Sequence, residues 1–212
     1  MTSKGRSSPW AVGVLLWGVA SCGDGGTGPQ TPPSPTIDGV QDLEEWNGAT
    51  VIPIGGELIT GKGPSTLMVT TDGTDLYIAL EIQDQAQAED ALLVRFDNDN
   101  DNIHTDGDDW VTLSPPGDFS DGNFSGLISS YVGDLAAHGS GSVGQVGGTA
   151  FFEISHPLDS GDPDDIALDV GDTVGLCLQY FDGGSGTSGQ PAGCVLASNQ
   201  QANYMDVTIR LP

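Results

Sequence analysis

Hydrophobic and polar residues alternate with a period of two over much of this chain. In "STLMVTTDGTDLYIALEI", Leu76, Ile78, Leu80 and Ile82 fall on one side of an extended backbone, and Tyr77, Ala79 and Glu81 on the other. Two such runs meet at Asp72-Gly73, a dipeptide suited to a tight hairpin turn. Similar runs are "ALLVRFD", "DDWVTLS", "FSGLISSYV", "TAFFEISH", "DTVGLCLQYFD" and "YMDVTIRL", each bounded by Gly, Pro, Asp or Asn. No apolar pattern of helical period lasts beyond about two turns. Short strands that must bury one face predict an all-β fold, a two-sheet antiparallel β-sandwich of jelly-roll or immunoglobulin-like kind. Residues 37–212 suffice for one core and show no internal repeat, so a single domain is expected there.

The amino-terminal residues break this pattern. Lys4 and Arg6 precede "WAVGVLLWGVA", an apolar run too short to span a bilayer, followed by small residues. That is the layout of a secretory signal over residues 1–21. "VASC", ending at Cys22, resembles a bacterial lipobox, which implies cleavage before Cys22 and lipidation of its thiol; the alternative is an ordinary cleavage site beside a cysteine. Acyl chains on Cys22 would hold the protein to a membrane without crossing it. Residues 22–36 then form a Gly/Pro-rich linker that lifts the domain off the membrane. With Cys22 used for lipid, Cys177 and Cys194 remain as a candidate disulfide across a hairpin folded near Ser185 and Gly186, or as two buried thiols. The expected location is the cell envelope, lipid-anchored and extracytoplasmic, with outer membrane or cell surface favoured.

Charge narrows the partners. The 212-residue chain carries 30 acidic and five basic residues, a formal net charge of -25, which excludes nucleic acid and anionic lipid surfaces as natural partners. Six aspartates crowd "DNDNDNIHTDGDD", residues 97 to 109. Carboxylates two residues apart on an extended chain lie about 7 Å apart and repel by about 2 kcal/mol at an effective dielectric near 20. A calcium ion, which takes six to eight oxygens, would offset that repulsion. Asp97, Asp99, Asp101, Asp106 and Asp108 are the candidate ligands. The spacing is like the start of an EF-hand loop but departs from it: Asn102 stands where the turn glycine belongs, Asp108 closes the loop instead of Glu, and strands flank it. The alternative is a solvated acidic turn. The thiolate and imidazole clusters that zinc favours are absent from the sequence.

The order of the pieces adds a resemblance. "IDGVQDLEEWNGAT", the "TTDGTDLYIALEIQD" hairpin, the acidic loop, "FFEISHPLDSGD" and "LDVGDTVGLCLQYFD" together resemble family 9 carbohydrate-binding modules and the wider DOMON-like β-sandwich group, over most of residues 37 to 211. The resemblance implies an extracellular glycan-binding accessory module, with calcium in members of the group and haem in the DOMON branch.

Sugars are usually held by an aromatic face with polar groups at the hydroxyls. In "DDWVTLS" the alternation turns Val111 and Leu113 to the core and Trp110 outward, which makes Trp110 the stacking candidate, with Tyr131 and Tyr180 behind it. Trp46 reads as a packing residue. Haem would need axial ligands from Met68, Met205, His104, His138 and His156. His156 follows the inward alternation of Phe152 and Ile154 and reads instead as a structural histidine, with Met68 filling space. No GxSxG elbow or HExxH helix occurs, and carboxylate pairs are inevitable in so acidic a chain. "GSGSVG", Gly139 to Gly144, matches GxGxxG but neither follows an apolar strand nor opens a helix, so it reads as a flexible loop. Together these features predict a non-catalytic, calcium-stabilised module for a polysaccharide or glycan. The alternatives are a haem-binding electron-transfer domain and a structural or protein-interaction module of the envelope.

Overall fold

The computed structural model of the chain describes residues 33–57, 62–85, 88–125, 131–184, 186–189 and 204–212. The expectations for the leader, Cys22 and Cys194 lie outside these residues. Among the described residues there is no helix, and the strands form two antiparallel sheets.

The first sheet contains β1 (Thr50–Glu57), β2 (Pro64–Thr71), β3 (Asp75–Ile82), β8 (Ser140–Val146) and β9 (Thr149–Pro157) in the order β1-β2-β3-β9-β8. The second contains β4 (Ala91–Asp97), β5 (Asp109–Ser114), β6 (Asp118–Phe124), β7 (Tyr131–Gly133), β10 (Thr173–Asp182) and β11 (Thr187–Gly189) in the order β11-β10-β4-β5-β6-β7, with β12 (Met205–Thr208) also paired to β10. The sandwich expected from alternation is therefore the fold. Leu76, Ile78, Leu80 and Ile82 of the first sheet, with Phe152 and Ile154, share one core with Leu92, Val94, Phe96, Val111, Leu113, Leu176, Leu178 and Tyr180 of the second. Burying these side chains between the sheets is the main force holding the fold together, since each contributes roughly 1.5–3 kcal/mol of transfer free energy.

Three elements differ from the alternation. "FSGLISSYV" is not one strand: Phe124 ends β6, Tyr131 begins β7, and the two pair with each other across a hairpin. "GSGSVG" is not a loop; most of it is β8, an edge strand paired to β9 with Gly141 opposite Ile154. Its glycines serve close approach, because a Cβ on Gly144 would overlap the Gly39 carbonyl oxygen. The linker also ends earlier than expected. Ser34 Oγ donates to Asp72 at 2.7 Å and Thr36 Oγ1 to Glu45 at 3.0 Å, so residues 34–36 are docked on the domain.

The following segment covers the outer face of the first sheet. Trp46 is buried there with Met68, Tyr77, Ala79 and Phe151, as its packing assignment required. Glu153, fully buried on the same face, accepts the backbone N–H groups of Asp38 (3.0 Å) and Gly39 (2.7 Å) and the Trp46 indole N–H (3.4 Å).

Candidate functional site

The acidic loop joins β4 to β5 at one end of the second sheet. Its backbone turns sharply because Asn100 and Asn102 take left-handed conformations, with φ of 53° and 62°, which Asn tolerates better than other non-glycine residues. Asn102 thus performs the turn for which an EF-hand uses glycine. Asp97 holds the turn: its carboxylate accepts the N–H of Asp101 at 3.1 Å and of Asn102 at 2.7 Å. Asp108 accepts the N–H of Thr105 at 2.8 Å, and Asn98 ties the two ends together through Gly107 O and Asp109 N–H.

Of the five predicted ligands, Asp97, Asp99 and Asp108 bring one carboxylate oxygen each to within 4.8 Å of one another. Asp101 turns its oxygen to the Ile103 N–H, and Asp106 lines a neighbouring cleft instead. Burial pushes the Asp97 carboxyl up to about 6; its two backbone hydrogen bonds act the other way, and Asp108 adds repulsion. A carboxylate held in this way gains more from a nearby cation than an exposed one does.

Beside the loop, Asp106, Gly107, Asn123, Phe124, Ser125, Val132 and Asp164 line a polar cleft of about 420 Å³. The aromatic candidates divide around it. Trp110 does face away from the core, but it is only 7 % exposed. Gly122, its cross-strand partner, lets the ring lie flat over β6, where it packs with Leu93 and Phe124, donates its indole N–H to Asn123 O at 3.0 Å and is covered edge-on by Tyr131. An open Trp110 face is therefore corrected to a buried one. Tyr180 is corrected more fully, since it is a core residue with no exposure and donates its hydroxyl to Asp84. Tyr131 is 46 % exposed, and its hydroxyl accepts a hydrogen bond from Arg95 at 3.1 Å.

Met68 and His156, two of the haem candidates, lie on opposite faces of the first sheet. On β2 and β9, Met68 shares the outer face with Ala79 and Glu153, whereas His156, paired with Leu76, points between the sheets. His104 contacts Tyr204 and packs edge-on against Phe124. Cys177 is buried beside Arg95, and no disulfide forms among the described residues. A carboxylate triad at the opposite edge, Asp84, Asp90 and Asp182, is answered by Lys62, which bridges Asp84 and Asp182.

A second constellation escaped the sequence reading. Asp109 and Asp121 point inward from β5 and β6, His156 points inward from β9, and Asp134, His138 and Asp165 reach them from the connecting segments. No spacing in the chain announces it, because its six members span residues 109 to 165. The one available signal was the polar residue at inward positions: Asp121 faces the core beside Val111, and His156 follows Ile154. Burial, the largest influence, pushes the Asp109 carboxyl up to about 8 and the Asp134 carboxyl up to about 6.

No protein-family profile matches the sequence, and no curated protein matches it. Solved structures do. A family 9 carbohydrate-binding module from Caldicellulosiruptor kristjanssonii in complex with cellotriose superimposes with a TM-score of 0.57 at 14% identity, over 84% of this chain and 90% of that one. A family 9 module from the same organism in complex with glucose gives a TM-score of 0.58 at 15% identity, over 85% and 93%. This chain therefore has the β-sandwich fold of the family 9 carbohydrate-binding modules.

Proposed function

We propose that this protein is a lipid-anchored, extracytoplasmic, non-catalytic carbohydrate-binding module stabilised by calcium. The observation that carries the reading is the shared fold over most of both chains with modules solved in complex with glucose and cellotriose. A neutral glycan also suits a chain of net charge -25, which repels anionic polymers. The cleft beside the acidic loop supports the assignment, since Asp106, Asn123, Ser125 and Asp164 offer acceptors and donors to sugar hydroxyls. Tyr131, with Val132 of the same short strand on the cleft wall, is the accessible aromatic nearest to it. Calcium at Asp97, Asp99 and Asp108 would neutralise the repulsion and stiffen one wall of the cleft. The anchor at Cys22 rests on the lipobox-like "VASC" and the short apolar leader, and it gives adhesion or capture at the envelope as the work of the module.

Calorimetry with glucose, cellotriose and longer β-glucans in millimolar calcium, with affinity electrophoresis in soluble glucans, tests this reading. Binding is expected to fall about two- to twelvefold in Tyr131→Ala, the loss of one stacking contact of roughly 0.5–1.5 kcal/mol. Absence of both heat and retardation with every glycan would remove the assignment, and undiminished binding by Tyr131→Ala would remove the tyrosine from it.

A further inference from the structure

We infer that the six-residue constellation between the sheets is a transition-metal site of the zinc class, separate from the calcium loop. Asp109 and His156 have no exposure, Asp121 has 2 % and Asp165 5 %. Buried carboxylates at such density call for a cation or for bound protons, and among the described residues Lys and Arg supply no cation here: Lys62 sits on the other acid triad, Arg95 lies on the outer face with Gln179 and Tyr131, and Arg210 is exposed.

Six buried polar atoms converge here outside hydrogen-bonding geometry, although Asp134 and Asp165 lie close enough to share a proton. Asp109 Oδ1, Asp121 Oδ1, Asp165 Oδ1, Asp134 Oδ2, His138 Nδ1 and His156 Nε2 are all buried and have no hydrogen-bond partner. His156 Nδ1 lies 2.7 Å from the Pro157 carbonyl oxygen. A carbonyl can only accept, so Nδ1 carries the proton and Nε2 presents a bare lone pair. That lone pair faces Asp121 Oδ2 at 3.8 Å and Asp109 Oδ2 at 3.9 Å, close enough for one cation to bridge them. His138 Nδ1 lies 2.9 Å from Asp165 Oδ2 but out of hydrogen-bonding alignment. Ligand atoms around one zinc ion, each about 2.0–2.2 Å from it, stand about 3–3.5 Å apart, and the separations of 2.9, 3.8 and 3.9 Å here bracket that spacing.

The supporting shell is also built. Asp109 Oδ2 accepts the Ile166 N–H, Asp121 Oδ2 the His138 N–H, and Asp165 Oδ2 the Ser160 hydroxyl, so each carboxylate is oriented with its other oxygen left over. Two imidazoles favour zinc or a similar metal over calcium, which prefers oxygen alone. Asp165 belongs to both groups of converging ligands, and the His138 side chain, 30% exposed, provides the path for entry. A metal here would join β5 and β6 to β9, cross-linking the two sheets behind the wall that Asn123 and Asp164 contribute to the cleft.

The test uses the full-length chain, stripped with a chelator and returned to metal-free buffer with millimolar calcium to fill the acidic loop. Titration with cobalt(II) should give visible ligand-field bands that saturate at stoichiometric metal and are displaced by zinc. X-ray absorption on the zinc-loaded wild type should show a nitrogen and oxygen shell with imidazole scattering. His156→Ala should weaken zinc binding at least about 100-fold, while Asp97→Asn leaves it unchanged. If His156→Ala fails to fold, His138→Ala, at the surface edge, must show a comparable loss. Wild-type protein that retains no zinc after gel filtration, a spectrum without imidazole, or full zinc affinity in the histidine variant would overturn the assignment, whatever the glycan experiments show.

Discussion

Glu153 is the point at which the amino-terminal segment is fastened to the sandwich, and its replacement tests how that fastening works. Its Oε2 accepts two backbone N–H groups, at 2.7 and 3.0 Å, and its Oε1 accepts the Trp46 indole at 3.4 Å. Glu153→Ala removes both oxygens and leaves three donors facing a pocket that water cannot fully reach. With roughly 1–3 kcal/mol for each buried donor left without an acceptor, and some relief at the partly exposed Asp38, the loss should be about 3–5 kcal/mol. Glu153→Gln keeps a carbonyl oxygen for the two backbone donors and gives up only the long indole contact. Burial already pushes the Glu153 carboxyl up, so part of its charge is unfavourable, and the amide should cost about 1–2 kcal/mol. Equilibrium urea denaturation measures both losses, and hydrogen exchange at Gly39 and across residues 46–49 should show whether the segment has been released. A Glu153→Ala variant within about 0.5 kcal/mol of wild type, or a Gln variant as damaged as the Ala variant, would refute this account of the contact.

Two further outcomes follow from the loops. Saturating calcium at about 100 times its dissociation constant should add about 2.7 kcal/mol, raising the melting temperature by about 5–11 °C; scanning calorimetry on wild type and Asp97→Asn checks this, with a shift below a degree in wild type counting against the site. Asp72, in the β2–β3 turn, is partly buried, which alone would raise its pKa, but its hydrogen bonds from Asp75, Ser34, Thr74 and Tyr77 hold the carboxyl at about 2. A depressed folded-state pKa means that its stabilisation is fully present above the unfolded value near 4 and is lost as pH falls through about 2. Asp72→Asn should therefore cost about 1 kcal/mol at pH 7, after allowance for solvent screening, and almost nothing near pH 2; denaturation midpoints across that range measure the difference, and a gap independent of pH would contradict it.

The sequence by itself determined the fold class, because alternation with period two is a local property that survives without knowledge of any partner. It found the cores of β2, β3, β4, β5, β9 and β10, the turn at Asp72-Gly73 and the packing role of Trp46. It also located the acidic loop, where like charges are crowded along the backbone itself and Asp97, Asp99 and Asp108 do converge. It could not see β8, whose glycines read as a loop because what they accommodate, the backbone of Gly39, lies about a hundred residues away in the chain. Nor could it see that the outward-facing Trp110 is covered, since the cover comes from Tyr131 on another strand. The tertiary structure alone decided that two histidines and four aspartates from five different parts of the chain meet between the sheets. A periodic pattern fixes which way a side chain points, whereas a site made of side chains from both sheets depends on how the sheets stack and where their connections cross, and no single stretch of sequence encodes that.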